Sequence, residues 1–448
     1  MKKKFYMESL GCAKNQVDAE VIIDLLKKKG LVQVFEPQEG DIVFINTCGF
    51  IKSAKEEAID TLFTLRKSAP NAKIILGGCL AQRYSEFLDL PEADGIFGNR
   101  DLKQIGELVD EMLENDNQVV LSPEYPKNTD DDYYCRSTLL NYPGAAYLKL
   151  SEGCNHRCAF CAIPVIRGPL RSRSRNQILD DARRLVKGGT REINIIAQDL
   201  AAYKTDNGGA SQFMSLLKDI CEIEGNYKIR LLYIHPDAFP LELIDFIKNN
   251  DKVLPYFDIP FQHAATPILR KMGRVGTSES YYELIRKIRE SLPNSVIRTT
   301  LMLGFPGETE EDVEELLEFT KKCRFDWMGS FIYSREEDTR AYDMISDEDH
   351  QLVIKRAEKD KKRLEAIQEK ITNENLEKFV GNVYEALIEE KVKGEDLAIG
   401  RIYSQAPEVD GLTVIMGRNL VPGSVIKVGI RKVNGVDLDA VVAGEGNE

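Results

Sequence analysis

The stretch SEGCNHRCAFCAIPVIRGPLRSR, residues 151–173, carries three cysteines in a C-x3-C-x2-C pattern and then a burst of arginines. Cys154, Cys158 and Cys161 follow the apolar run AYLKL, residues 146–150, which reads as a buried strand. A closed tetrahedral metal site takes four ligands, so three thiolates on one short loop point to a [4Fe-4S] cluster whose fourth iron stays open to a small molecule. The competing reading is a structural zinc site with His156 or a distant cysteine as fourth ligand. Zinc knuckles pair C-x2-C with a second such pair, and the spacing here fits them poorly.

Outward from that loop, strands and helices alternate between Ala145 and Ser334. EINIIA, IRLLYI, YFDIP, VIRTTLML and WMGSFIY continue the strand series, separated by helical patterns such as QILDDARRLVKGG, QFMSLLKDICEIE and EDVEELLEFTKKC. Six parallel strands with crossover helices predict a (βα)6 partial barrel, an open relative of the eight-fold TIM barrel. The cysteine loop then sits at the strand C-termini, where sites of such barrels are built. The charged run over 348–379 reads as one long helix along the barrel surface. Ahead of the barrel, FYMESLGC, IVFINTC and KIILGGC read as strands of a small parallel α/β domain. Residues 115–144 have no sustained periodicity and read as a connector. Behind it, Gly and Val rise and five short strands predict a compact five-stranded β-barrel. The expected organisation is an α/β multidomain chain, with an N-terminal domain over 1–114, a linker over 115–144, the barrel and its long helix over 145–378, and the terminal barrel over 379–448.

Composition narrows the function. The 448 residues are 43% hydrophobic and carry a formal net charge of −13, which argues against a protein devoted to gripping phosphate backbones. No apolar run is long enough to cross a bilayer, and the lysines of MKKKFYMESLGC lack the apolar stretch of a signal peptide, so a cytoplasmic location is expected. Nine cysteines in such a chain suggest metal or redox chemistry rather than disulfides. Cys12, Cys48 and Cys79 each end a strand of the first domain, and strand C-termini of a parallel sheet face one crevice. A single cysteine there reads as a small buried hydrophobe; three at equivalent ends favour a second three-cysteine cluster. Cys135, Cys221 and Cys323 read as structural.

The run C154-x3-C158-x-F160-C161 resembles the radical S-adenosylmethionine signature, and its surroundings resemble the methylthiotransferase family. That family joins a three-cysteine N-terminal domain, a radical SAM partial barrel and a C-terminal TRAM domain, in the order found here. SLGCAKNQVDAE, INTCGFIKSAKEEAIDTL and GRIYSQAPEVDGLTVI are similar to its RimO branch, which modifies a ribosomal protein, more than to its tRNA-modifying MiaB branch. Ala13 and Ser174 stand where that branch often has proline, and both read as loop positions.

The resemblance implies two [4Fe-4S] clusters and S-adenosyl-L-methionine. The cluster on Cys154, Cys158 and Cys161 would bind and cleave S-adenosylmethionine to give a 5′-deoxyadenosyl radical, and the one on Cys12, Cys48 and Cys79 would deliver a methylated sulfur. Phe160 is a candidate to pack on the ligand, Gln198 and Asp199 to bond its methionine part, Arg298 and Arg167 to pair with its carboxylate, and Gly304 and Gly307 to admit its adenine. Gln262 and His263 read as structural. The implied substrate is an aspartate β-carbon of small-subunit ribosomal protein S-twelve, met by a monomer that also needs an electron donor protein. From Phe379 to Glu448 eleven acidic residues face seven basic ones, giving −4, which suits a basic protein better than RNA. A tRNA adenosine methylthiotransferase is the alternative within this chemistry, and a non-catalytic iron-sulfur or sulfur-carrier protein the alternative outside it.

Overall fold

The computed structural model describes residues 2–86, 88–115, 117–125 and 136–444. The structural reading of Cys135, and two of the acidic residues counted above, Glu445 and Glu448, fall outside them.

The N-terminal unit runs β1 (Lys4–Ser9), α1 (Ala13–Lys28), β2 (Val32–Gln33), β3 (Ile42–Thr47), α2 (Lys52–Ser68), β4 (Lys73–Gly78), α3 (Cys79–Tyr84), β5 (Gly95–Gly98), α4 (Ile105–Glu114) and β6 (Val119–Leu121). Its sheet is wholly parallel, in the order β2-β1-β3-β4-β5-β6. All six residues of β3 are buried because helices cover both faces. Phe44 packs among Phe5, Val21 and Leu108 on one side, and Val43 and Ile45 among Leu62 and Ile74 on the other. The winding direction reverses between β1 and β3, and such a reversal opens a crevice at the strand C-termini.

Two expectations change here. Val119–Leu121, read from sequence as connector, pairs with β5 as the sixth strand; three residues are too few for alternation to show. Ala13 and Ser174 are not loop positions. Ala13 is the first residue of α1, and Ser174 caps the helix that follows it, accepting from Gln177 N–H at 3.4 Å. A helix start tolerates proline and serine alike.

The central unit comprises β7 (Ala145–Lys149), β8 (Ser151–Glu152), α5 (Ile163–Ile166), β9 (Arg171–Ser172), α6 (Arg175–Lys187), β10 (Glu192–Ile196), α7 (Phe213–Glu222), β11 (Lys228–Leu231), α8 (Glu242–Lys248), β12 (Val253–Asp258), α9 (Thr266–Met272), α10 (Ser278–Ser291), β13 (Val296–Leu303), α11 (Glu310–Cys323), β14 (Trp327–Ile332) and α12 (Asp347–Leu376). Six parallel strands follow chain order, β7-β10-β11-β12-β13-β14, with β7 and β14 at open edges, as the partial barrel requires. Alternate residues face opposite ways. Leu148, Ile193, Ile195, Ile229 and Phe257 pack under the helices, whereas Tyr147, Ile196, Leu232, Leu254 and Tyr256 point to the concave side.

That concave side does not face water. Ala13 and Val17 of α1 join it from one end, and the terminal barrel joins it from the other. The terminal barrel is closed by β15 (Val383–Lys391), β16 (Leu397–Ile402), β17 (Thr413–Met416), β18 (Val425–Asn434) and β19 (Asp437–Val442), in the order β15-β16-β17-β19-β18. Its seam with the sheet is ionic as well as apolar. Glu192 accepts from Arg230 Nη2 at 3.0 Å and Arg401 Nη1 at 2.8 Å, and Arg401 Nε donates to Glu389 at 2.7 Å. The two guanidiniums outweigh burial and hold the Glu192 carboxyl down to about 2.

The single tryptophan, Trp327, donates its Nε1 hydrogen to Ser404 carbonyl across this seam at 2.6 Å, so its fluorescence reports on it. An unfolded glutamate titrates at about 4.3 and the folded one lower, so the contribution of Glu192 to the seam is complete above about pH 4 and is lost as pH falls toward 2. Urea titrations followed by Trp327 emission should show that acid loss. Arg401→Met, which strips a buried partner from two carboxylates, should cost roughly 3 kcal/mol at neutral pH.

Candidate active site

The loop carrying Cys154, Cys158 and Cys161 leaves β7 at its C-terminal end and is clamped at its base by the antiparallel pair β8 and β9. Cys154 N–H donates to Gly168 carbonyl at 3.1 Å, and Cys161 N–H to Cys158 carbonyl at 3.1 Å. Between them, Ala159 N–H reaches the Met272 carbonyl at 2.8 Å and its own carbonyl accepts from Ala341 at 2.8 Å, so the loop is wedged between α9 and the segment after β14. Phe160 packs with Ala159, Ile268, Met272 and Phe305. His156 turns its Nε2 to Asp199 at 2.7 Å and stacks on His235 with ring centroids 4.0 Å apart, so that nitrogen already has a partner.

The surroundings of this trio hold buried polar atoms without partners. Both amide atoms of Gln198 and Nε and Nη1 of Arg274 have no hydrogen-bond partner among the described residues, whereas His263 Nε2 faces Glu308 at 3.4 Å. Arg274 is 4% exposed and its charge acts on both Cys154 and Cys161. The free donors and acceptors of Gln198 and Arg274 suit a polar ligand at this point, since an unmade buried hydrogen bond costs about 1–3 kcal/mol. Burial pushes the Cys154 thiol up to about 11 and the Cys161 thiol to about 12, so the thiolates require a metal charge to form. An iron-sulfur cluster with a polar, zwitterionic ligand fits this donor set. Among the described residues no three His, Cys, Asp or Glu side chains gather to hold a single metal ion; thiolates on separate irons of a cluster need not converge on one point.

The other three cysteines leave the N-terminal sheet at the winding reversal. Cys12 follows β1 and caps α1, Cys48 follows β3, and Cys79 opens α3 after β4. Two glycines let these loops touch. A Cβ on Gly11, whose φ is +91°, would lie 3.0 Å from Cys48 Cβ, and one on Gly49 would lie 2.7 Å from the Leu80 backbone beside Cys79. Asn15, fully buried, ties the loops by donating to the carbonyls of Leu10 at 3.2 Å and Thr47 at 2.9 Å, while its Oδ1 accepts from the Cys79 thiol at 3.3 Å. Burial pushes Cys79 up to about 12.

Arg167 links the two trios. It follows α5, six residues after Cys161, and is 3% exposed. Its Nη2 donates to Asn15 Oδ1 at 2.7 Å and Asp18 Oδ2 at 2.8 Å and lies 3.6 Å from Cys79 Sγ; its Nη1 donates to Glu152 Oε2 at 2.9 Å. Lys149 completes the square with Asp18 at 2.6 Å and with Glu152. Around it, Arg83 and Lys55 reach Glu336 at 2.6 and 2.9 Å, and Arg100 reaches Val165 carbonyl at 2.9 Å. The N-terminal unit therefore sits on the open mouth of the barrel, and the six cysteines face one junction.

Other residues singled out from sequence land differently. Arg167 serves the first-domain trio, not a ligand carboxylate by the radical loop. Arg298 is not brought to that loop either: as third residue of the eight-residue β13 it lies deep on the concave side, paired with Asp258 at 3.2 Å and Asp410 at 3.4 Å. Gly304 and Gly307 have φ of +73° and +78°, but their missing side chains point at the chain itself, toward Ala357 Cβ at 2.9 Å and Lys271 Nζ at 2.2 Å. The Gly304 N–H is taken by Glu308 at 3.0 Å. Cys221 and Cys323 are buried in helices. Asn15, Asp18, Lys14 and Arg274 went unremarked in the sequence, where only their nearness to cysteines or to a helix end marks them.

Residues 148–320 match the radical SAM superfamily, residues 380–443 the TRAM domain, and residues 4–98 a family described only as uncharacterized. A ribosomal protein uS12 methylthiotransferase RimO from Treponema denticola is 42% identical over 97% of this chain and 100% of its own. That of Carboxydothermus hydrogenoformans is 38% identical over 97% and 98%. Among solved structures, the radical S-adenosylmethionine methyltransferase TsrM from Kitasatospora setae has a TM-score of 0.54 at 15% identity, covering 76% of this chain and 74% of its own; that likeness is of fold alone. The chain belongs to the radical S-adenosylmethionine methylthiotransferases, in the RimO family. No helix among the described residues is long and apolar enough to cross a membrane.

If Arg274 meets the ligand carboxylate, Arg274→Leu should weaken S-adenosylmethionine binding about tenfold or more, the worth of a charge-assisted hydrogen bond. Anaerobic equilibrium dialysis of the iron-reconstituted protein checks this.

Proposed function

We propose that this chain transfers a methylthio group to the β-carbon of an aspartate in small-subunit ribosomal protein uS12, with Cys154, Cys158 and Cys161 holding one [4Fe-4S] cluster and Cys12, Cys48 and Cys79 a second. The observation that carries the two-cluster reading is Arg167, which is covalently part of the radical loop yet hydrogen-bonded beside Cys79. Such a contact is what a reaction needs if a carbon activated at one trio is to meet sulfur held at the other. When bound, the first cluster supplies the electron that cleaves S-adenosylmethionine and the second supplies the sulfur with its methyl group.

The chain's own part is positioning. Arg274 and Gln198 orient the ligand's methionine end, with Phe160 packed alongside. Gly304 and Gly307 bend the backbone after β13 on the side where the adenine would lie, and the Gly307 carbonyl accepts from Lys271 Nζ at 3.2 Å. Cys79 is buried and the three cysteines of the radical loop are half-buried, which limits the water that can compete for the activated carbon. The ribosomal protein as substrate is supported by what the relatives are named for and by the acidic terminal barrel, which suits a basic partner. An electron donor protein and a cytoplasmic setting belong to the same reading.

The test is an anaerobic assay with methyl-labelled S-adenosylmethionine, a reductant, and either small ribosomal subunits or unmodified tRNA. Label on uS12, with the mass of a methylthio group on aspartate, is expected; label on tRNA would contradict the substrate. Cys158→Ala should abolish 5′-deoxyadenosine formation while retaining about half the iron. Cys48→Ala should keep that cleavage and stop methylthio transfer.

A further inference from the structure

Lys14 is the second residue of α1, two positions after Cys12, and it is 8% exposed. Its Nζ lies 3.2 Å from the centroid of the Tyr233 ring, and among the described residues no hydrogen bond or ion pair to a carboxylate is made by it. The acids of this junction are engaged elsewhere. Asp18 and Glu152 are bonded by both Lys149 and Arg167, and Asp258 by Arg298 and by Tyr233 N–H at 3.2 Å. The only other buried lysine described, Lys149, has two carboxylates. A buried ammonium with no hydrogen-bonded anion is costly, and chains seldom keep one without use.

The platform beneath it is strained. Tyr233 has φ of +69°, an outlier for a bulky side chain, and is held there by Asp258 on its N–H and by Leu200 N–H on its carbonyl at 3.0 Å. The strain sets the ring under the ammonium, where a cation–π contact steadies the charge without neutralising it. The arrangement offers one fixed positive charge, beside the Cys12 trio, to an anion from outside the chain.

We propose that Lys14 is the specificity residue that receives the carboxylate of the substrate aspartate. This rests on the aspartate reading given above. In an aspartate side chain the β-carbon is bonded directly to the carboxylate carbon, so a carboxylate seated on Lys14 holds the β-carbon next to the Cys12 trio. Adenine carries no charge for this ammonium to meet, and the longer glutamate would set its β-carbon one bond further off. The same residue therefore separates aspartate in a protein from a base in RNA.

The experiment measures binding of whole uS12, native and with the modified aspartate changed to asparagine, to the reconstituted full-length chain under anaerobic conditions. The wild-type chain should bind the asparagine form about tenfold more weakly. Lys14→Met should bind both forms equally, at the weaker level, and Lys14→Arg should restore the preference; iron and sulfide content shows that the variants are loaded. Equal binding of both forms by the wild-type chain, which needs no variant, or a persisting preference in Lys14→Met, would overturn the assignment. If the wild-type chain labels uS12 while showing no preference, Lys14 falls alone. Failure to label uS12 removes the underlying reading and this inference with it.

Discussion

The guanidinium of Arg167 is the constraint on which the site depends. It belongs to the loop that carries one cysteine trio, and its hydrogen bonds go to Asn15 and Asp18 of the helix that begins at the other. A planar cation with five donors can serve both sides of an interface at once in a fixed fork, and Lys149 beside it joins Asp18 and Glu152 with a single ammonium. The surrounding charges, Asp18, Glu152 and Lys149, each have two partners, so removing any one side chain leaves two buried charges each short of one. Buried pairs of this kind contribute little net stability beside an apolar equivalent, but they define one relative placement of the two units. That placement is what a reaction with two cysteine centres requires.

The open sheet follows the same logic at larger scale. A six-stranded parallel sheet with helices on its convex side has a concave side to cover. Here α1 and the terminal barrel cover it, meeting Tyr147, Leu232, Tyr256 and Trp327 in one apolar cluster. The seal stops short of the mouth, where the packing gives way to Lys14, Arg274 and Gln198, which no carboxylate among the described residues pairs by hydrogen bond or ion pair. The contrast is informative because the same chain pairs its other buried charges so thoroughly. Asp410, from the terminal barrel, takes part in both worlds: it accepts from Tyr256 at 2.5 Å and faces Arg298, yet burial outweighs them and raises its carboxyl to about 6.

Much of this was legible in the sequence because its signals are local. The C-x3-C-x2-C spacing, the strand alternation and the glycine-rich turns each lie within one short window, and the six strands and terminal barrel emerged from them. The convergence of Cys12, Cys48 and Cys79 was legible from topology, since strand ends of a parallel sheet share an edge. What was not legible depends on side chains meeting across units. Nothing in RGPLRSRSR marks Arg167 as the arginine that turns back toward Asn15, and nothing in VIRTT shows that Arg298 faces Asp258 and Asp410. The strand β6 was hidden because three residues carry no period. The glycines after β13 were legible as bends, but their close neighbours proved to be α12 and Lys271.

The central claim is that two clusters face one junction, and magnetic coupling tests it most directly. The fully reconstituted, dithionite-reduced protein is to be examined by electron paramagnetic resonance beside two variants, Cys79→Ala and Cys161→Ala, that each lack one trio. The account expects the parent spectrum to be broadened and fast-relaxing, through interaction of two nearby spins, and each variant to lose that interaction. A parent spectrum equal to the sum of the two variant spectra would mean that the clusters are independent, and would contradict it.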